Sequence, residues 1–212
     1  GDGGPQMSAI PSSLHRAVDA LMRQVAVEVV MPRYRNLAAH EVSEKAADDL
    51  VTIADEESEE RLAEGLSRLL PDAGLLGEEA CAADPALLAQ AGEGLRWIID
   101  PIDGTGNFAT LFLDAGERKD LLRRATDRLE LVDIPRCAAE QYPLLVLGVI
   151  DLTVFHRVLP WDHAAGVLFV NEAGGRACRF DGSPYRVGDL STGMLAAATP
   201  GIWDTAAEIL LR

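Results

Sequence analysis

Cysteine is scarce in this chain. Its 212 residues hold three, Cys81, Cys137 and Cys178, far apart and never as CxxC. That excludes a zinc ribbon or a disulfide framework and suits a reducing, cytoplasmic setting. Basic residues are few as well: 19 Lys and Arg face 34 Asp and Glu, for a net charge of −15. A surface that grips a nucleic-acid backbone needs the opposite sign, so no nucleic-acid partner is expected. Small phosphorylated ligands stay open, provided metal ions stand between the two sets of negative charge. No apolar run approaches the roughly 18 residues of a membrane span, so no membrane partner is expected. Residues 1–6, GDGGPQ, do not resemble a signal peptide and read as a tag remnant or a disordered start. No internal repeat, low-complexity tract or obvious linker is present. A hydrophobic fraction of 48% in a chain of this length can bury a core without covalent staples.

Helices and strands are mixed along the chain. Leu14, Val18, Leu21, Val25 and Val29 recur at helical spacing over 12–31, and Pro32 is expected to end or kink that helix. A second helix is predicted over about 53–70. Asp55, Glu56 and Glu57 occupy its first turn, and Leu62, Leu66 and Leu69 form its buried stripe. AGLLGEE (73–79) and LRWIID (95–100) read as short strands that end in acids. Helices are predicted over 117–130 and 137–147, and a strand over 148–155. A further helix runs from about Trp161 to the Gly174–Gly175 pair, followed by strands at 176–180 and 194–198 and a last helix from about Ile202.

Chemistry concentrates in WIIDPIDGTGNF (97–108). Asp100 and Asp103 are three apart, and an extended strand would aim them at opposite faces. Pro101 restricts Asp100 and itself, while Gly104 and Gly106 permit a tight turn. A bent chain can then bring both acids, the Ile102 carbonyl and the Thr105 hydroxyl to one point. Oxygen donors of this kind are what Mg²⁺ prefers, and a cation offsets the repulsion of paired carboxylates. The alternative is a surface turn, since Asp, Pro and Gly dominate turns for conformational reasons alone. The spacing does not fit an EF-hand loop, and D-x-x-D is not the D-x-D of an aspartyl-phosphate enzyme.

DPIDGTGNF, with GEE upstream and WDHAAG…EAGG downstream, resembles the inositol monophosphatase family of lithium-sensitive, magnesium-dependent phosphomonoesterases. The resemblance covers most of the chain. It implies an α+β, layered αβαβα fold like that of the sugar phosphatases. Residues 1–110 would form an N-terminal metal-site half, and residues 111–212 a C-terminal half that contributes Asp162 and a substrate-facing loop. The implied activity is Mg²⁺-dependent hydrolysis of a small phosphate monoester by a metal-activated water, with two to three ions per site and Mn²⁺ as a substitute.

Residue by residue, the resemblance implies that Glu78 binds metal and orients the attacking water. Asp100 bridges ions, the Ile102 carbonyl completes one shell, and Asp103 is a further ligand. Thr105 bonds the nucleophilic water, and the Gly104 and Thr105 amides hold the phosphate together with Asp103. Asp162 binds a second ion near the substrate hydroxyls and could also start its helix. In KAADDLVTIADEE, Lys45 falls on a mobile loop near the site, while Thr52 and Asp55 match positions linked to Thr105 and a weaker third metal. His156 and His163 are given no ligand role. A homodimer is expected, as is common in the family.

Two departures stand out. Phe155 occupies the place of a glutamate that binds an inositol hydroxyl, and RCAAEQY (136–142) replaces a cluster of small residues in the substrate-facing segment. The sequence also passes from Phe108 almost at once to ATLFLDAGERKD, so part of the first sheet is expected to be absent. A longer natural chain, with an overlong Cα–Cα step between Phe108 and Leu113 near Ala109–Thr110 in place of the ordinary 3.8 Å, is one account. A genuine deletion with the exposed edge covered by a partner chain is the other. A catalytically weak homologue with a binding or regulatory role is the corresponding alternative function.

Overall fold

A computed structural model describes residues 10–33, 42–46, 49–102, 115–125, 128–130, 132 and 137–211; side chains are described for these except residues 42–51, 115–118 and 122. Asp103, Gly104, Thr105 and the segment between Phe108 and Leu113 lie outside the described residues, and with them the expected break in the backbone.

The first helix, α1 (Ser12–Val25), does not stop at Pro32. It passes into a turn of π-helix at Ala26–Val30 and then into a last turn, α2 (Met31–Arg33). Pro32 has no N–H for an α-helical bond and its ring crowds the preceding turn. The wider turn, in which the Met31 N–H bonds to the Ala26 carbonyl, takes up that conflict, and the helix is described as far as Arg33. Next comes an antiparallel hairpin of β1 (Val42–Ala46) and β2 (Asp49–Thr52). The sequence had suggested no strand here, and Lys45 accordingly lies on β1 rather than on a loop.

α3 (Ile53–Leu69) packs on α1, on the following strands and on α4. Its buried face is Ala54, Asp55, Ser58, Glu59, Gly65 and Leu66. It is therefore polar at the N-terminal end, whereas the expected leucine stripe supplies only Leu66 fully. β3 (Gly74–Gly77) pairs in parallel with β4 (Arg96–Ile99), in the register Gly74↔Arg96 through Gly77↔Ile99. Between them run α4 (Glu78–Ala83) and a 3-10 turn at Pro85–Gln90.

The C-terminal half is a three-stranded antiparallel sheet in the order β5–β7–β6, formed by β5 (Leu152–Phe155), β6 (Arg176–Arg179) and β7 (Met194–Ala197). Central β7 is buried along its whole length, which its unbroken apolar run Met-Leu-Ala-Ala permits. Its side chains alternate between two cores. Met194 and Ala196 join a cluster with Tyr142 and Leu145 of α6 (Ala138–Val146) and Val167 and Val170 of α7 (Pro160–Glu172). Leu195 and Ala197 join Ala125 of α5 (Ala115–Ala125) and Trp203, Ala206, Ile209 and Leu210 of α8 (Pro200–Leu210). Helices thus cover both faces of this sheet, as the layered fold requires. The Trp203 indole donates to the Leu195 carbonyl at 2.9 Å and fixes α8 against β7. α7 ends as expected: Gly174 adopts φ 90°, Gly174 N–H bonds to Asn171 O and Gly175 N–H to Val170 O, a Schellman motif.

A third cluster joins the halves. Trp161, at the start of α7, packs with Val187 against Leu76, Cys81 and Ala91. The first turn of α7 is thereby held beside the β3–β4 pair.

Candidate active site

Glu78 and Asp100 emerge from neighbouring parallel strands. Gly77 is paired with Ile99, so the next residue on each strand is one of the two acids. Adjacent strands lie roughly 4.8 Å apart, and the shared direction puts both acids at the carboxyl end, where open parallel sheets bind their ligands. Pro101 and Ile102 then turn the chain in a bend. Asp162 comes to the same end from α7. It is buried, at 7% exposure, and sits in the first turn of its helix, whose N-cap is Leu159. It is therefore not the cap residue; its carboxylate faces the positive end of the helix dipole.

Thr52 and Asp55 meet each other in a capping box at the start of α3. The Thr52 hydroxyl and backbone N–H both donate to Asp55 Oδ2, at 2.6 and 2.8 Å. Asp55 is 1% exposed. The Lys45 side chain and Asp103, Gly104 and Thr105 lie outside what is described.

One contributor had no signal in the local sequence. Glu59, 7% exposed and one helical turn beyond Asp55, reaches from α3 to the start of α4. Its Oε2 accepts from the Glu79 N–H at 2.7 Å and its Oε1 from the Ala80 N–H at 2.9 Å. The only hint in the sequence was that Asp55 and Glu59, four apart on a predicted helix, share one face.

Two expectations about the substrate side are corrected. Phe155 does not face a substrate. Its ring is 3% exposed, with its centroid 5.3 Å from that of Tyr142 and 4.6 Å from that of His163. On β5 the buried positions are Thr153 and Phe155, and these point into the core beneath α6 and α7. Likewise, most of RCAAEQY lies in the helix predicted over 137–147, and its buried residues face the core rather than a substrate. Ala138, Gln141 and Tyr142 are buried in α6, and the Thr153 hydroxyl donates to Gln141 Oε1 at 2.6 Å. His163 is a core residue too, with Nδ1 2.7 Å from the Tyr142 hydroxyl and Nε2 3.1 Å from the Arg157 carbonyl. Burial drives its pKa down to about 3.

The donor chemistry fits Mg²⁺. Glu78 and Asp100 are carboxylates at one end of one strand pair, the Ile102 carbonyl follows directly, and the first turn of α7 supplies Asp162 as a further acid. The nearby Cys81 thiol is pushed up to about 11 by burial, then by Glu59 and Asp84, so it offers no thiolate ligand. Among the described residues no three acidic, histidine or cysteine side chains approach closely enough to hold an ion by themselves. Among the described residues, too, no helix is long and apolar enough to cross a membrane.

Comparison with known proteins supplies the family. The chain is 27% identical to an inositol-1-monophosphatase of Synechocystis sp. over 237 aligned positions, covering 80% of each chain. A histidinol-phosphatase of Chlorobaculum parvum is 46% identical over 68 residues, 32% of this chain and 24% of that one. Among solved structures, the Thermotoga maritima IMPase superposes with a TM-score of 0.70 at 19% identity, covering 95% of this chain and 97% of that one. The first alignment spans more positions than this chain has residues, so the relative carries residues for which this chain has no counterpart. The sequence profile of the inositol monophosphatase family matches residues 12–115 and again 113–211. The chain belongs to the inositol monophosphatase family and is a hydrolase of the phosphomonoesterase class.

Proposed function

We propose that the protein hydrolyses a small phosphate monoester with Mg²⁺. The observation that carries this is the in-register departure of Glu78 and Asp100 from parallel strands, beside buried Asp162. Glu78, Asp100, Asp103, Asp162 and the Ile102 carbonyl would hold two to three ions. When bound, such ions lower the pKa of water, neutralise phosphate oxygens and stabilise the leaving alkoxide. Glu78 and Thr105 orient the attacking water, a positioning contribution. The Gly104 and Thr105 amides hold the phosphate, and Lys45 adds a positive charge from the hairpin. Thr52 and Asp55 fix the start of α3 behind these groups.

The substrate is a phosphorylated metabolite of the inositol phosphate, sugar bisphosphate, histidinol phosphate or phosphoadenosine class. The ring at position 155 is turned into the core and takes no part in choosing among these. A cytoplasmic homodimer is part of this reading. Phosphate release from a panel of such esters, with and without Mg²⁺, is the test. Turnover that ignores metal and peaks in acid would overturn the proposal. The chain's short middle, seen in an alignment longer than the chain itself, favours one other reading, a catalytically weak homologue with a binding role. Absence of turnover of any ester in the panel, with Mg²⁺ still bound, would favour it.

A further inference from the structure

α4 begins with Gly77 at its N-cap, at φ −107° and ψ 154°. This is the extended conformation an N-cap residue adopts, but glycine has no side chain to satisfy the first N–H groups of the helix. Glu59 satisfies them from eighteen residues upstream, accepting from the amides of Glu79 and Ala80. Those are the two amides that a side chain at position 77 would itself have capped. A Cβ at Gly77 would lie 2.7 Å from Glu59 Oε2 and closer still to the rest of that carboxylate. Glycine is required there because the glutamate fills the space.

We infer that Glu59 is a positioning residue for Glu78, and that Gly77 and Glu59 form one coupled device. The helix held by Glu59 begins with Glu78, so the cap sets where that acid leaves β3 relative to Asp100. The inference rests on the proposed function in assuming that Glu78 is a metal ligand. Groups that orient a ligand from behind typically contribute 10–100-fold to metal affinity.

A double-mutant cycle of Glu59→Ala and Gly77→Asp tests this, read by amide hydrogen exchange and by Mn²⁺ calorimetry. Glu59→Ala should speed exchange at Glu79 and Ala80 and weaken Mn²⁺ roughly 10–100-fold. Gly77→Asp alone should also damage the protein, because two carboxylates then compete for one space. The pair should recover both readouts, since the new aspartate caps the same amides in the vacated space. Leu66→Ala, buried elsewhere on α3, destabilises the helix and should leave Mn²⁺ affinity unchanged. Should Glu59→Ala fail to fold, Glu59→Gln keeps one accepting oxygen and must show the same effects in smaller degree. The inference is overturned by Mn²⁺ affinity within twofold of wild type in either Glu59 variant, or by strictly additive effects in the cycle. A wild-type protein that binds no Mn²⁺ would sink the proposed function instead, and exchange at Glu79 and Ala80 would still decide whether the cap exists.

Discussion

Replacing the buried His163–Tyr142 pair with apolar residues should remove a defined part of the protein's acid sensitivity. A carbonyl oxygen can only accept, so the His163 nitrogen facing Arg157 O, Nε2, carries the proton. Nδ1 is then the acceptor and the Tyr142 hydroxyl donates to it. At 3% exposure a second proton on this ring is costly, and burial holds the folded pKa near 3 against 6.5 when unfolded. The unfolded chain therefore takes up the proton first as pH falls. Stability is full above pH 6.5 and is lost progressively down to about pH 3, at up to about 1.4 kcal/mol per unit. Between pH 7 and 4.5 this single group should cost about 2.5 kcal/mol. The double variant His163→Leu/Tyr142→Phe removes both ends of the bond between the two side chains but also takes the Nε2 donor from the Arg157 carbonyl, so it should cost about 1–3 kcal/mol at pH 7. Urea unfolding at pH 7 and pH 4.5 should show the variant gaining about 2.5 kcal/mol on wild type over that interval. Equal losses in the two proteins would refute the reasoning. Tyr142→Phe alone strands Nδ1 and should cost about 1–3 kcal/mol at pH 7.

Asp162→Asn removes a charge and almost no volume, so it should abolish phosphate release and leave the circular dichroism spectrum unchanged; retained turnover would remove Asp162 from the site. Lithium should inhibit any Mg²⁺-dependent turnover, which a titration at fixed Mg²⁺ would show. Gly166→Ala should destabilise by about 1–3 kcal/mol, because its Cβ would drive into the buried Tyr142 ring; thermal unfolding reads this, and an unchanged midpoint would contradict the packing.

Elements with a strong period or clear punctuation could be read directly. The α3 boundaries followed from an acidic first turn and Pro71, and the end of α7 from its glycine pair. The β1–β2 hairpin was invisible because VSEKA and DLVT have no apolar alternation; their pairing comes from backbone hydrogen bonds. Phe155 was misplaced because alignment to a family position carries residue identity but not side-chain direction. In β5 that direction follows from pairing with Met194 of β7, thirty-nine residues on. Glu59 was missed because its partners are twenty residues away, so nothing local distinguishes it from any solvated helical glutamate.

The register of β3 and β4 has a consequence for rebuilding the protein. Each strand is four residues long and delivers its acid at the last step, so the chain works as a pair of matched rulers with a common end mark. Inserting one residue inside either ruler would move its acid by about 3.3 Å and turn it to the opposite face. The exposed stretch Glu93–Leu95, past buried Ala91, is another matter, because lengthening it leaves both marks where they are. Loops, tags or sensor domains grafted there should be tolerated, while a single residue inserted within Gly74–Gly77 or Arg96–Ile99 should silence the enzyme without unfolding it.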